Sequence, residues 1–279
     1  NCHTFAQNSP ETVIMHVRDS GRKRTGMILL RDGEATMVDT RTPNNAAPAA
    51  YTSFHPSGKL AAFSVNKLSL QHHLAGQSRS VVDRNSDLGI YAVSDGSVRS
   101  ARVIADPDYL ETFPSWSWDG EYLYFSRAKR TWPIEPPSPE VAAAGEYQHR
   151  GNIPDGYETF QYDLARVAYD IESGAWGAVE TVLPAAEFGM SISEPRPSPD
   201  GRFVLFTATD SGTFPIYDEE ADLWMLELAT GETWRLAANS DRCESWHAWS
   251  TNGRWVLFAS KRDDGLFARI HFSYIDADG

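Results

Sequence analysis

The chain begins Asn-Cys-His-Thr-Phe, and Cys2-His3 has the form of the last two residues of Cys-x-x-Cys-His, the attachment site of a c-type haem. Attachment needs two thiols and an axial histidine. The only other cysteine is Cys243, so the sequence holds half of that motif. A packed or disulfide-paired Cys2 is the competing expectation. His72-His73 is a second candidate. Neighbours on a strand point to opposite faces, however, so solvated histidines are expected there. Asp218, Glu219, Glu220 and Asp222 crowd the string YDEEAD, and hard cations such as calcium want carboxylate oxygens. The string lacks the glycine and spacing of an EF-hand, which favours a solvated acidic loop. GMSIS (189–193) approaches Gly-x-Ser-x-Gly but lacks the second glycine, and no helix-rich segment follows. This argues against a serine-hydrolase elbow.

Composition narrows the classes further. Of 279 residues, 41% are hydrophobic and 12% aromatic, with nine Trp. That supports a sizeable core and favours strands. The formal net charge of −13 disfavours binding to nucleic acid, which runs on Lys and Arg. It also disfavours an anionic membrane surface. No apolar run is long enough to span a membrane. Two cysteines make no disulfide scaffold. The chain starts at Asn1 and stops in a turn sequence, so a portion of a longer product is expected.

The elements that must position any site come from an internal repeat. Gly58, Gly120, Gly201 and Gly253 each follow a small polar residue, and five residues later stands Phe63, Phe125, Phe206 or Phe258. Each unit reads as a tight hairpin on an Asp/Asn/Ser-Gly turn, with Gly supplying the positive φ. A second strand pair follows. A weaker first copy places Glu11 at the glycine position. Four antiparallel strands per unit, with almost no helical periodicity, predict an all-β propeller of four-stranded blades. Five repeats are visible, in one domain over 1–279, at approximately 1–48, 49–108, 109–190, 191–241 and 242–279. The last is incomplete, and the ring would have five or six blades. The Phe five residues past each turn and its apolar neighbours are expected to fill the layers between blades. Inserts are expected at 66–87 and, rich in proline, at 128–157.

The strings PSWSWDGEYLYFS, PRPSPDGRFVLFT and FHPSGKLAAFS resemble the WD40-like propeller repeat of the TolB family, whose core is a Ser-Pro-Asp-Gly turn before an apolar strand ending in Phe. The resemblance implies a soluble, mostly extracytoplasmic propeller that binds proteins or polymers. It implies no activity. A related propeller class, the oligogalacturonate lyases, uses metal-binding histidines and supplies the alternative reading.

Counting nine residues back from each turn gives Cys2, Ala49, Glu111, Ile192 and Glu244 as the inner-strand starts around one channel mouth, with Tyr51, Glu194 and Trp246 further in. Tyr51, Glu111, Glu194, Glu244 and Trp246 are the expected ligand contacts. Cys2 and Cys243 fall at nearly equivalent places, so a disulfide across the closure is expected if five blades close the ring. The expected function is a non-enzymatic extracytoplasmic binding module. Its partner would be a protein or a glycan, and no cofactor is expected.

Overall fold

The computed structural model describes residues 3–6, 8–18, 25–42, 49–71, 80–132, 154–276 and 279. It is an all-β chain of five antiparallel sheets, consistent with a propeller. Sheet 1 holds β1 (His3–Ala6), β2 (Ser9–Arg18), β3 (Thr25–Arg31) and β4 (Glu34–Val38). Sheet 2 holds β5 (Ala49–Phe54), β6 (Leu60–Gln71), β7 (Ser80–Ala92) and β8 (Val98–Arg99). In sheet 3 lie β9 (Tyr109–Trp116), β10 (Tyr122–Lys129), β11 (Asp163–Asp170) and β12 (Ala175–Leu183). In sheet 4 lie β13 (Ser191–Pro197), β14 (Phe203–Thr209), β15 (Asp222–Glu227) and β16 (Thr233–Arg235). Sheet 5 has three described strands: β17 (Glu244–Trp249), β18 (Trp255–Ser260) and β19 (Arg269–Tyr274).

One alternation explains how the sheets stack. Successive residues of a strand point to opposite faces. Residues three and five past each turn glycine face the preceding sheet. Ala61 and Phe63 pack on Ile14, Met27 and Leu29 of sheet 1. Leu123 and Phe125 pack on Ala62, Leu88 and Ile90 of sheet 2. Val204 and Phe206 pack on Tyr124 and Leu164 of sheet 3. Val256 and Phe258 pack on Leu205, Leu223 and Met225 of sheet 4. Residues two and four past the glycine face the following sheet. The repeated Phe is therefore the plug between neighbouring sheets, and Phe63, Phe125 and Phe206 are wholly buried.

The same Phe marks a second regularity. In four inner strands, two residues oppose this single Phe, which is the geometry of a β-bulge. The register passes from Ala50↔Ser64 to Ser53↔Ala62, leaving Tyr51 and Thr52 against Phe63. It does so at Phe113 and Pro114 against Phe125, at Glu194 and Pro195 against Phe206, and at Trp246 and His247 against Phe258. The first bulged residue is left-handed each time: Tyr51 φ 54°, Phe113 53°, Glu194 55° and Trp246 52°. A non-glycine residue there costs on the order of 1–2 kcal/mol.

Two expectations need correction. The first turn lies at Asn8, with φ 57°, and Glu11 sits inside β2. Asn tolerates this conformation nearly as well as Gly. With Asn8 as anchor, Val13 takes the place of the repeated Phe. Cys2 then stands six residues before its turn while Cys243 stands ten before Gly253, so the register behind their pairing is lost. The pairing itself falls on Cys2, outside the described residues. Second, the expected insert at 66–87 is largely strand. β6 and β7 remain paired out to Gln71↔Ser80. Val82 on this extension packs on Leu110, Ala128, Tyr157, Phe160 and Tyr162. Most of the proline-rich insert lies outside the described residues.

Departures from the repeat acquire partners. Ser117, Ser198 and Ser250 each accept a backbone N–H from five residues on. His55 occupies this place in sheet 2. Its Nδ1 accepts from the Ser57 N–H at 3.1 Å, so Nε2 carries the proton and donates to the Gly120 carbonyl of the next sheet at 3.1 Å. A Cβ on Gly120, at φ 80°, would stand 2.4 Å from His55 Nε2. On Gly201, at φ 71°, it would meet nothing within 4 Å. Gly201→Ala should therefore cost about 1 kcal/mol from backbone strain alone. Gly120→Ala should cost about 1–3 kcal/mol more from the steric conflict. Urea denaturation of both variants checks this, and equal losses would contradict the close His55–Gly120 contact.

Candidate functional site

The bulges bring the inner strands of four sheets to one place. Tyr51 of sheet 2 and Phe113 of sheet 3 have ring centroids 4.1 Å apart. Trp246 of sheet 5 stacks on Tyr51 at 5.7 Å and meets Phe113 edge-on at 6.1 Å. Phe214 meets Phe113 edge-on, with ring centroids 6.4 Å apart. Glu194 of sheet 4 completes the set by accepting the Trp246 N–H on Oε2 at 2.6 Å. Sheets 2 and 5 are far apart in sequence, and this contact brings their inner strands together. Phe113 belongs to the constellation but is missing from the sequence expectation. Its position seven residues before Gly120 is the signal that would have found it.

Exposure sorts the five expected ligand contacts. Glu111, Glu194 and Glu244 are buried to within 1%. Tyr51 is 9% exposed, and Trp246 is half-buried. The aromatic rings thus pack on one another where these inner strands meet, and Trp246 is the most exposed of the five. Two residues further from the turn stand two glutamate–arginine pairs. Arg127 Nε lies 3.4 Å from Glu111 Oε1, and its guanidinium covers the Tyr109 ring at 3.5 Å. Arg262 lies 3.2 Å from Glu244 Oε1, over the Phe258 ring. Glu244 also accepts from the Ser240 N–H and the hydroxyls of Ser240 and Ser260. At the remaining predicted starts, Ala49 and Ile192 are buried.

Three buried acids share a cause and a direction. Burial pushes Asp83 up to about 7, with Ser86 and Asn66, whose Nδ2 donates at 2.7 Å, pulling the other way. Burial pushes Glu111 up to about 8, partly offset by Arg127, and its Oε2 has no partner. Burial pushes Glu194 up to about 7, with the Trp246 N–H and Arg196 pulling the other way. His247, 4.0 Å from Glu194, is driven down to about 3 by burial and then by the Arg196 charge. Raised carboxyls keep protons in the folded state that the unfolded state releases near pH 4, so they favour folding more as pH falls from about 8. His247 opposes this only below its unfolded value near 6.5. The melting temperature should therefore be higher at pH 6 than at pH 8.5. The triple variant Asp83→Asn, Glu111→Gln, Glu194→Gln should flatten that rise. A wild-type curve falling from pH 8.5 to 6 would contradict the assignment.

The other sequence candidates disperse. Glu219 pairs with Arg242, Asp222 pairs with Arg235 at 2.5 Å, and Asp218 accepts the Glu220 N–H at 3.0 Å. Each carboxylate of this loop for which a partner is described faces a protein donor. Among the described residues, no three His, Cys, Asp or Glu side chains stand close enough to hold a metal. His72 and His73 lie outside the described residues. His3 heads β1 with its ring edge-on to Phe5 at 5.4 Å, and Cys2 is outside the described residues. Cys243 is a buried free thiol that donates to the Pro215 carbonyl, and burial pushes it up to about 11. Ser191 and Ser193 of GMSIS lie in β13, buried, their hydroxyls donating to the Gly212 and Thr207 carbonyls.

No family model and no curated protein sequence matches the chain. Its fold does match solved structures. A protein described as TolB from Agrobacterium tumefaciens aligns at a TM-score of 0.55 and 15% identity, over 99% of this chain and 75% of that one. TolB from Acinetobacter baumannii aligns at 0.53 and 15%, over 99% of this chain and 54% of that one. An oligogalacturonate lyase in complex with manganese aligns at 0.54 and 11%, over 98% and 61%. No described helix is long and apolar enough to cross a membrane. At these identities the likeness is one of fold, and the chain is similar in fold to TolB and TolB-like propeller proteins.

Proposed function

We propose that this chain is a non-enzymatic binding module of TolB-like propeller type that works outside the cytoplasm and holds a protein or glycan at its channel mouth. The carrying observation is the convergence of four left-handed bulges, at matching repeat positions, on Tyr51, Phe113, Glu194 and Trp246. Strained backbone retained at one place in four repeats points to use of that place. Flat aromatic surface beside buried acids suits a stacked sugar ring or an inserted side chain of a partner. Trp246 and Tyr51 make the contact, Arg127 and Arg262 flank it, and the buried carboxyls hold the strands that present them. No cofactor is invoked.

The likeness to a manganese-bound lyase fold makes turnover the outcome to exclude. Arrays of extended peptides and of oligosaccharides, oligogalacturonates included, are the probes. Wild-type protein should retain at least one probe class, and Trp246→Ala should lose it at least tenfold while keeping its melting temperature near wild type. Cleavage of oligogalacturonate with manganese present, seen as a rise in near-ultraviolet absorbance from the new C=C bond, would overturn the binding-module reading. So would retention unaffected by Trp246→Ala.

A further inference from the structure

The residue after each turn glycine follows a charge pattern with one inversion. Lys59, Arg202 and Arg254 follow Gly58, Gly201 and Gly253, whereas Glu121 follows Gly120. The inversion falls at a cleft. Between the turns of sheets 4 and 5 lies a cleft of about 320 Å³ whose walls include Asp200, Asp276, Arg202 and Arg254, so the chain supplies acids and cations together. Arg202 lays its guanidinium over the Phe203 ring at 4.6 Å. Between the turns of sheets 2 and 3 lies a larger cleft of about 540 Å³. The two correspond in backbone, because the Ile275 N–H donates to the Arg254 carbonyl at 2.8 Å as the Tyr169 N–H donates to the Glu121 carbonyl at 2.9 Å. The second cleft has Asp119, Glu121 and Asp170 on its walls and no Lys or Arg.

These acids lack counter-ions. Asp119 accepts from the Ser117 hydroxyl and the Glu121 N–H, and Asp170 accepts the N–H groups of Glu172 and Ser173. Among the described residues, no guanidinium or ammonium pairs with Asp119, Glu121 or Asp170. Lys59 and Arg99 act on His55 and Tyr169 through charge alone, line no part of the cleft, and Arg99 is held by Asp95 at 2.8 Å. The rest of the wall is largely aromatic, with His55, Tyr122, Tyr169 and Trp176. Tyr169 and Trp176 have centroids 4.4 Å apart, and the buried Trp116 backs them at 5.5 and 6.3 Å. This backing fixes the rings before a ligand arrives, which lowers the cost of binding. Burial pushes His55 down, so its ring adds no positive charge at neutral pH.

We propose that this cleft binds an arginine side chain of a basic partner peptide, with the guanidinium against Tyr169 and Trp176 and its charge met by Asp119, Glu121 and Asp170. Acids without counter-ions, on a chain of net charge −13, select a cation. Flat rings select a guanidinium over an ammonium, because the guanidinium is planar, more weakly hydrated and stacks on aromatic faces. The chain makes the same contact internally, with Arg127 over Tyr109 at 3.5 Å and Arg166 over Tyr122 at 4.4 Å. The volume falls within the roughly 300–1,000 Å³ of small-ligand sites. The cleft is built on the Gly120 turn and shares no residue with the constellation of Tyr51, Phe113, Glu194 and Trp246, so the proposal does not depend on what the channel mouth binds.

Isothermal titration calorimetry with acetyl-Gly-Arg-Gly-Arg-Gly-amide and its citrulline counterpart tests it. Citrulline keeps the planar shape and loses the charge. The arginine peptide should bind about tenfold more tightly than the citrulline one. Glu121→Arg installs, at an exposed position, the charge that the other three repeats carry. It should weaken arginine-peptide binding by about tenfold or more and keep the wild-type melting temperature. Glu232→Lys, at an exposed acid of sheet 4, makes the same change in net charge and should bind like wild type. Trp246→Ala should also bind like wild type. No binding of the arginine peptide, equal binding of the two peptides, or equal losses in Glu121→Arg and Glu232→Lys would overturn the proposal. A loss in Trp246→Ala would move the binding to the channel mouth and overturn it equally.

Discussion

Phe206→Ala is expected to cost about 3–5 kcal/mol of folding stability, among the largest single losses the chain can show. The reasons are positional. Phe206 is wholly buried, faces sheet 3 beside Tyr124 and Leu164, and packs edge-on against Phe188 at 5.5 Å. It also stands alone opposite the two bulged residues Glu194 and Pro195. Truncation leaves a cavity between two sheets and removes the side chain under a left-handed backbone. The bulge should loosen with the core, so amide exchange at Trp246, whose N–H is held by Glu194, should accelerate alongside the global loss. Denaturant unfolding measures the first effect and hydrogen exchange the second. A loss under about 1 kcal/mol, outside the range of buried Phe truncations, would contradict the role given to the repeated Phe.

Glu244 and Glu111 occupy the same repeat position and should respond oppositely. Glu244 is wholly buried and accepts from Ser240, Ser260 and Arg262. Glu244→Ala strands those donors, and removing one partner of a buried pair costs about 3–5 kcal/mol. Glu111 has a long contact to Arg127, help from the Asp106 backbone and an Oε2 with no side-chain partner among the described residues, and burial pushes it up to about 8. Above that value the wild type must carry a poorly satisfied buried charge, whereas Glu111→Gln does not. Glu111→Gln should therefore change stability by less than about 1 kcal/mol at neutral pH and stabilise the protein above pH 8, as burial-raised acids require. Thermal melts of both variants at pH 7 and pH 9 decide the matter. Equal losses would show that the two acids are not distinguished by their donors.

The stacking of sheets was legible because it rests on one residue type at one spacing, the Phe five residues past each turn. The bulge that opposes this Phe was not legible. Tyr51, Phe113, Glu194 and Trp246 share an offset of seven residues before the turn glycine but no side-chain chemistry, and an offset does not disclose a left-handed backbone. The first turn was placed at Glu11 because a glycine was sought where Asn8 does the work. The extended β6–β7 hairpin carries Lys67, Asn85 and Asp87 among its apolar residues, and that polarity read as an insert. The acidic string at 218–222 reads as a solvated loop with calcium as an alternative, because sequence does not show that Arg242 and Arg235 fold back onto it. Buried glutamates read as ligand contacts for the same reason, since depth is a property of the packed sheets.

The central claim is that the inner-strand bulges of sheets 2 to 5 meet at one axis and form the binding mouth. With selectively labelled aromatic residues, the nuclear Overhauser effect between the rings of Tyr51 and Trp246 tests this most directly. The account predicts a clear cross-peak, because the centroids stand 5.7 Å apart although the residues belong to sheets 2 and 5. A folded protein with assigned Tyr51 and Trp246 rings and no cross-peak between them would contradict it.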